Sequence, residues 1–198
     1  MQRLSEMFAS KGILSGKDLE DAIRMAGGVK KEMECKAAFF AGASLLRKGE
    51  YERGRDYMMK ILDGCYDLSV NFWGDKESLR TIVAGELALH AGTKGDYRTI
   101  SAMEEKLGKD LAKDKLLVRD AKCILQGKTS LGDILKFHKA RAYQTSKMTA
   151  EAKNTLKELQ FASGKVFVDG QVVGLKDAIA KLQLQVNGAA FLPFLKAV

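Results

Sequence analysis

The sequence predicts an all-α fold made of two helical-bundle domains joined by a short hinge. The 198-residue chain contains a single proline, Pro193, so almost nothing interrupts a helix. Apolar residues recur at helical spacing along most of the chain. A hydrophobic content of 46% with 29% charged residues is ordinary for a folded globular protein. Together these observations favour packed helices over strands or wholesale disorder.

The first domain is predicted over residues 1–127, where glycines separate the helical segments. Gly49, Gly92 and Gly108 each stand where a helix is expected to end. Asp75 is a suitable N-cap for the helix that Gly92 would end. The predicted helices of this domain are 4–9, 16–26, 29–48, 51–65, 76–91, 97–107 and 110–126.

The second domain is predicted over residues 128–198, after a hinge at Gly127-Lys128-Thr129-Ser130. Asp169-Gly170 stands between two short apolar runs and suits a type I′ hairpin turn, with an extended connection as the alternative. The predicted helices of this domain are 130–145, 148–162 and 174–186, followed by a short apolar tail at 189–197.

The formal net charge of +8 is unevenly distributed. Residues 128–198 hold 11 Lys+Arg and 5 Asp+Glu, whereas residues 1–127 hold 22 and 20. Such asymmetry indicates an anionic partner, either phospholipid headgroups or nucleic acid. A basic domain without such a partner is the alternative.

The candidate binding residues are cations that cluster along predicted helices or around the Gly49 turn. Near an anionic leaflet each contributes on the order of 1 kcal/mol, so several must act together. RNA phosphates would attract the same cations, but few aromatic residues are interleaved with them, so we expect any RNA binding to be non-specific. The candidates are Lys30, Lys31, Lys36, Arg47, Lys48, Arg53, Arg55, Lys136, Lys139, Arg141, Lys147, Lys153 and Lys157.

The pattern of reactive residues indicates a protein that is not an enzyme and needs no metal or cofactor. Gly127-Lys128-Thr129 lacks the earlier glycine of a phosphate-binding loop, because Lys122 occupies that position. His90 is expected to be a partly buried packing residue and His138 a surface residue. The three cysteines are too widely spaced for a zinc site or a disulfide framework, so we expect buried apolar groups; they are Cys35, Cys65 and Cys123.

Membrane contact, where it occurs, is expected to be peripheral. The N-terminus lacks the unbroken apolar stretch of a signal peptide, and no window approaches the roughly 20 apolar residues that span a bilayer. We therefore expect synthesis in the cytosol.

A segment from Phe72 to Gly92 resembles part of the orthomyxovirus matrix proteins of the influenza type. The shared pattern is F-x-G-x-K-E, six variable residues, A-G-x-L-A and a later glycine. The resemblance covers these 21 residues of 198, with weaker support over residues 40–62. The matching positions are Phe72, Gly74, Lys76, Glu77, Ala84, Gly85, Leu87, Ala88 and Gly92.

The resemblance implies a matrix protein with a helical N-terminal domain and a smaller C-terminal one. Such a protein forms a polymeric layer on the inner face of the virion envelope and contacts anionic lipid, neighbouring subunits and viral ribonucleoprotein. In the host cell it implies the cytoplasm and the plasma membrane. The short chain favours the isavirus branch, that of infectious salmon anaemia virus.

Two departures limit what the resemblance implies. Residues 64–68 are not basic, whereas the influenza type carries a basic stretch there that is tied to RNA binding and nuclear import. A Cys-Cys-His-His zinc motif after the matching helix is also absent from the sequence. Zinc and nuclear import are therefore not implied, and the nucleus stays open as a location.

Two other classes of function remain as alternatives. The basic charge suits an RNA-coating nucleocapsid-type protein, which would protect RNA stoichiometrically. The helical pattern suits a cellular helical adaptor that holds peptides in a groove. Ala84-Gly85 and Ala88 are expected to allow close approach of a neighbouring helix.

Overall fold

The computed structural model describes residues 31–64, 69–72, 75–120, 122 and 124–195. These residues are mostly helical, which confirms the all-α prediction in its coarse form, and they also contain three two-stranded antiparallel hairpins. The helices are α1 (Lys31–Arg47), α2 (Tyr51–Gly64), α3 (Leu79–Lys94), α4 (Tyr97–Leu107), α5 (Leu131–Thr145), α6 (Thr149–Glu158) and α7 (Leu175–Leu195). The strands are β1 (Ser69–Phe72), β2 (Asp75–Ser78), β3 (Lys115–Arg119), β4 (Leu125–Ser130), β5 (Lys165–Val168) and β6 (Gln171–Gly174).

The chain divides into two compact units, and the division falls inside α3, between Val83 and Ala84. Residues 127–130, where the sequence predicts the hinge, form the end of strand β4 and lie within the second unit. The short helices predicted at 4–9 and 16–26 lie outside the described residues.

Helices α1 and α2 form a helical hairpin in the first unit. Gly49 turns the chain with a φ of +85°, which a residue without a Cβ adopts readily. Beyond the turn the two helices approach closely, because a Cβ on Gly54 would lie 2.7 Å from Leu46 Cγ and 3.0 Å from the carbonyl oxygen of Gly42. Two glycines therefore set the separation of this helix pair.

The predicted bounds of the next helix are wrong at both ends. Residues 75–78 form β2, paired with β1, so α3 begins at Leu79 and Asp75 is not its N-cap. Pairing with β1 gives this backbone hydrogen-bond partners that sequence periodicity does not reveal. Gly92 does not end the helix, which continues to Lys94.

The helix predicted over 110–126 is also wrong. A 3₁₀ turn at Gly108–Ala112 follows α4, and β3 then pairs with β4, with Leu116 opposite Thr129 and Leu117 opposite Lys128. A short apolar run such as Leu116-Leu117-Val118 fits a buried strand as well as a helix, so its periodicity does not distinguish them.

The core of the second unit lies between α5, α6, α7 and the β5–β6 hairpin. This hairpin confirms the predicted turn, since Asp169 and Gly170 have φ values of +51° and +80°, both positive as type I′ requires. Ser130 caps α5 by accepting the Asp133 N–H. The core residues are Phe137, Ala140, Ala152, Leu156, Leu159, Ala162, Val166, Leu175, Ala178, Ile179, Leu182 and Val186.

Helix α5 also packs against α3 through His138. A Cβ on Gly92 would lie 2.9 Å from the carbonyl oxygen of His138 and 3.2 Å from its Nδ1. His138 is only 1% exposed, so its predicted place on the surface is wrong. The sequence did not reveal this burial because Gly92 of α3, which packs against His138, lies over 40 residues away along the chain. Gly85 likewise allows a close contact, but the neighbour is Leu116 of β3 and not a helix.

Cys35 differs in part from its prediction. Its side chain is buried in α1 as expected, but its sulfur is disulfide-bonded, which the wide spacing of the cysteines did not predict. Cys65 and Cys123 lie outside the described residues. Within the described part of the chain, every helix is too short or too polar to cross a bilayer.

The close approach of α1 and α2 predicts a position-specific effect of adding a methyl group. Gly54→Ala should lower the free energy of unfolding by about 1–3 kcal/mol, because the new Cβ meets a side chain and a backbone oxygen. Gly64→Ala is the matched control at the end of α2, where a Cβ meets nothing within 4 Å. Urea unfolding of both variants measures the difference, and equal stabilities would contradict the close packing.

The burial of His138 predicts that the folded protein becomes less stable as the pH is lowered. Burial lowers the pKa of His138 from 6.5 to about 3, and Arg141 and His90 act in the same direction. The unfolded chain therefore binds this proton first, and the folded protein should lose about 2 kcal/mol of stability between pH 7 and pH 5. Urea unfolding at the two pH values measures this loss, which His138→Gln should abolish and His90→Gln should retain. A loss that persists in His138→Gln would assign it to another group.

Candidate basic interface

The cations predicted in the first unit lie among carboxylates. Arg53 pairs with Glu50, and Arg55 Nη1 lies 2.5 Å from Glu52 Oε2 and its Nη2 3.1 Å from Asp56 Oδ1. The Gly49 turn is therefore close to neutral. Of the other candidates here, Lys36 is half-buried, Arg47 and Lys48 are exposed, Lys31 begins α1, and Lys30 lies outside the described residues.

Three cations of α5 are held by ion pairs to three different elements. Lys136 Nζ lies 2.9 Å from Glu158 Oε2 on α6, and Lys139 Nζ lies 2.6 Å from Glu104 Oε2 on α4. The two pairs join α5 to the helix that follows it and to a helix that precedes it in the chain. The third pair joins Arg141 Nη2 to Asp169 Oδ1, 2.8 Å apart, at the β5–β6 turn. Structural roles thus account for part of the predicted basic cluster.

Lys147, Lys153 and Lys157 are placed differently. Lys147 follows α5 and is exposed, with a φ of +61° that ends the helix. On α6, Lys153 is half-buried and Lys157 is exposed, four residues apart and hence on one face. Among the described residues, none of the three has a carboxylate partner within ion-pair distance. Their charges are available to an external anion.

The β3–β4 hairpin adds cations that the sequence pattern did not reveal. Lys115, Lys122 and Lys128 are exposed along it. Strand β5 joins the hairpin at Thr129, whose Oγ1 donates to the carbonyl oxygen of Lys165 (2.6 Å) and accepts its N–H (2.8 Å). The exposed Lys165 thereby lies on the strand next to the one that carries Lys128.

A hydrogen-bonded loop closes this hairpin at its end. Asp120 Oδ1 accepts the N–H groups of Lys122 and Ile124, each at 2.9 Å, and Asp120 Oδ2 accepts Gln126 Nε2 at 3.0 Å. The Asp120 N–H donates to the Ile124 carbonyl oxygen at 3.1 Å. The loop exposes 56% of Ile124 and 40% of Leu125. We call Asp120, Lys122, Ile124 and Leu125 the β3–β4 tip.

One sequence signal could have located this tip. Aspartate is favoured in turns because its carboxylate accepts the N–H two residues further on, as Asp120 does here. Asp120 follows the apolar run of β3 and precedes a second run that starts at Ile124. Both runs were predicted to lie in one helix over 110–126, so the turn was missed.

Positive charge is concentrated in the second unit. Residues 84–198 hold 19 Lys+Arg and 12 Asp+Glu, a net of +7, whereas residues 1–83 hold 14 and 13, a net of +1. The ion pairs of α5 each cancel one positive and one negative charge. The excess positive charge of the second unit therefore belongs to its other lysines and arginines. This arrangement can attract an extended anionic surface.

Comparison with protein-family models, curated proteins and solved structures finds no match to this chain. Function is therefore inferred from its own residues and their geometry.

The partly buried ion pair of Lys139 predicts a structural role. Lys139→Gln should lower the free energy of unfolding by about 1 kcal/mol, because Glu104, only 23% exposed, loses its charged partner. Lys157→Gln, which removes an exposed cation without an ion pair, should change it by less than about 0.5 kcal/mol. Chemical denaturation compares the two variants, and equal values would argue against the role of the pair.

Proposed function

We propose that this chain is a viral matrix protein that forms a self-associating layer under the envelope and binds anionic phospholipid. The observation that carries the proposal is the excess of exposed, unpaired lysines on the second unit. Lysine ammonium groups attract lipid phosphates and carboxylates without base-specific contacts. Lys147, Lys153 and Lys157 are the predicted candidates that best fit this role.

Several weak contacts are enough for such a layer. Each lysine near an anionic leaflet contributes on the order of 1 kcal/mol, so one subunit binds weakly and reversibly. Subunits joined by contacts that do not close into a ring form an open polymer. Lipid contacts of linked subunits then act together and give avidity without stronger individual sites.

The sequence resemblance supports the same proposal through packing residues. Ala84, Leu87 and Ala88 of the shared pattern are fully buried in α3, and Gly85 contacts Leu116. The second half of the pattern, from Ala84 on, thus lies in a core helix and contributes packing residues. We propose the inner face of the virion envelope and the host plasma membrane as locations, and viral ribonucleoprotein as a further partner.

Vesicle flotation tests the lipid contact. The protein should float with vesicles that contain phosphatidylserine and not with neutral phosphatidylcholine vesicles, and moderate salt should reduce recovery by screening. Replacing Lys147, Lys153 and Lys157 together by Gln should lower partitioning roughly a hundredfold if each contributes about 1 kcal/mol.

The matched control replaces three cations that have carboxylate partners, Arg53, Arg55 and Lys136, by Gln. Their loss should reduce vesicle binding much less, since each already has a carboxylate beside it. Equal recovery on neutral and anionic vesicles would exclude the electrostatic mechanism. Stoichiometric protection of RNA from nuclease without vesicle binding would favour the nucleocapsid-type alternative.

A further inference from the structure

The β3–β4 tip exposes aliphatic side chains on a structured loop. Among the described residues, Ile124 and Leu125 are the one consecutive pair of large apolar side chains that are both exposed. Their loop is closed by three hydrogen bonds to the carboxylate of Asp120. These bonds tie Ile124 and Gln126, on either side of Leu125, to Asp120 in the conformation that exposes Ile124 and Leu125.

The surroundings of the tip are strongly cationic. Residues 115–130 contain four cations and a single carboxylate, that of Asp120. Both Asp120 carboxylate oxygens accept hydrogen bonds within the loop. Lys122 lies within the tip, and Lys128 and Lys165 lie further back on neighbouring strands. An aliphatic end bordered by exposed lysines is complementary to an anionic bilayer, whose headgroups are charged and whose interior is apolar.

We propose that the β3–β4 tip inserts Ile124 and Leu125 between the acyl chains of an anionic membrane while its lysines stay among the headgroups. The lysine side chain suits that position, because its methylene groups can lie along apolar material while the ammonium group stays in water. The inference rests on the proposed function and adds an apolar contact to its electrostatic one.

A double substitution tests the contribution of the tip to binding. Ile124→Ser with Leu125→Ser should lower partitioning onto phosphatidylserine-containing vesicles about tenfold or more, because two aliphatic side chains no longer leave water. The matched control, Phe161→Ser with Leu184→Ser, removes side chains that are 86% and 74% exposed elsewhere in the same unit. It should change partitioning less than about twofold. Circular dichroism of both variants should match the unmodified protein, since these side chains contribute little to the core.

Depth measurement tests insertion directly. Replacing the single tryptophan by Trp73→Phe and introducing Ile124→Trp places the fluorophore at the tip. Lipids brominated on their acyl chains should quench this tryptophan on anionic vesicles. Leu184→Trp in the same background should not be quenched.

The outcomes separate the two proposals. If the unmodified protein floats with anionic vesicles in a salt-sensitive way but the tip variants bind equally or show no quenching, insertion is overturned and the proposed function stands. If the unmodified protein shows no preference for anionic vesicles, both fail. If the tip variant loses self-association in lipid-free solution while vesicle binding is unchanged, the tip contacts protein and the membrane assignment is wrong.

Discussion

The second unit depends on how α5 is held. One part of this helix packs against Gly92 of α3 through His138, and another part enters the core with Phe137 and Ala140. A side chain at position 92 would meet a backbone oxygen, which cannot move away as a flexible side chain can. The short distance between α3 and α5 therefore requires glycine at position 92. The same close packing buries the uncharged imidazole of His138.

Helix α5 also decides which charges remain available to a partner. Its Lys136, Lys139 and Arg141 pair with carboxylates on α6, α4 and the β5–β6 turn, so they stabilise contacts within the unit. The lysines outside these pairs include those after α5, on α6 and around the β3–β4 hairpin. A charge count along the sequence does not separate these two groups, because pairing depends on residues up to 35 positions apart. The net charge of the region is unaffected by this pairing, since each ion pair removes equal amounts of both signs.

Local signals in the sequence predicted much of the fold, and non-local contacts account for what was missed. The Asp169-Gly170 turn and the Gly49 turn follow from backbone conformations that few residues adopt, so they were predictable. Most of β2, all of β3 and the start of β4 were predicted as helix, because the choice between helix and strand depends there on a partner strand that is not local in the sequence. His138 was predicted to lie on the surface because its packing partner, Gly92, lies 46 positions earlier in the chain. The candidate site was predicted in kind, as basic residues of the C-terminal region, but the hairpin cations and the tip were not.

The internal bonding of the β3–β4 tip has a consequence for any contact that it makes. Asp120 accepts hydrogen bonds from Lys122, Ile124 and Gln126, and these bonds restrain the backbone of Ile124 without any partner. A surface loop that must order on binding loses conformational entropy, typically about 1–2 kcal/mol for each backbone residue fixed. Hydrogen bonds that already restrain part of a loop reduce that loss, and more of the interaction energy appears as affinity. A few lysines and two aliphatic side chains contribute only a small interaction free energy. More of that energy remains as binding affinity when less of it is offset by the entropy lost in ordering the chain.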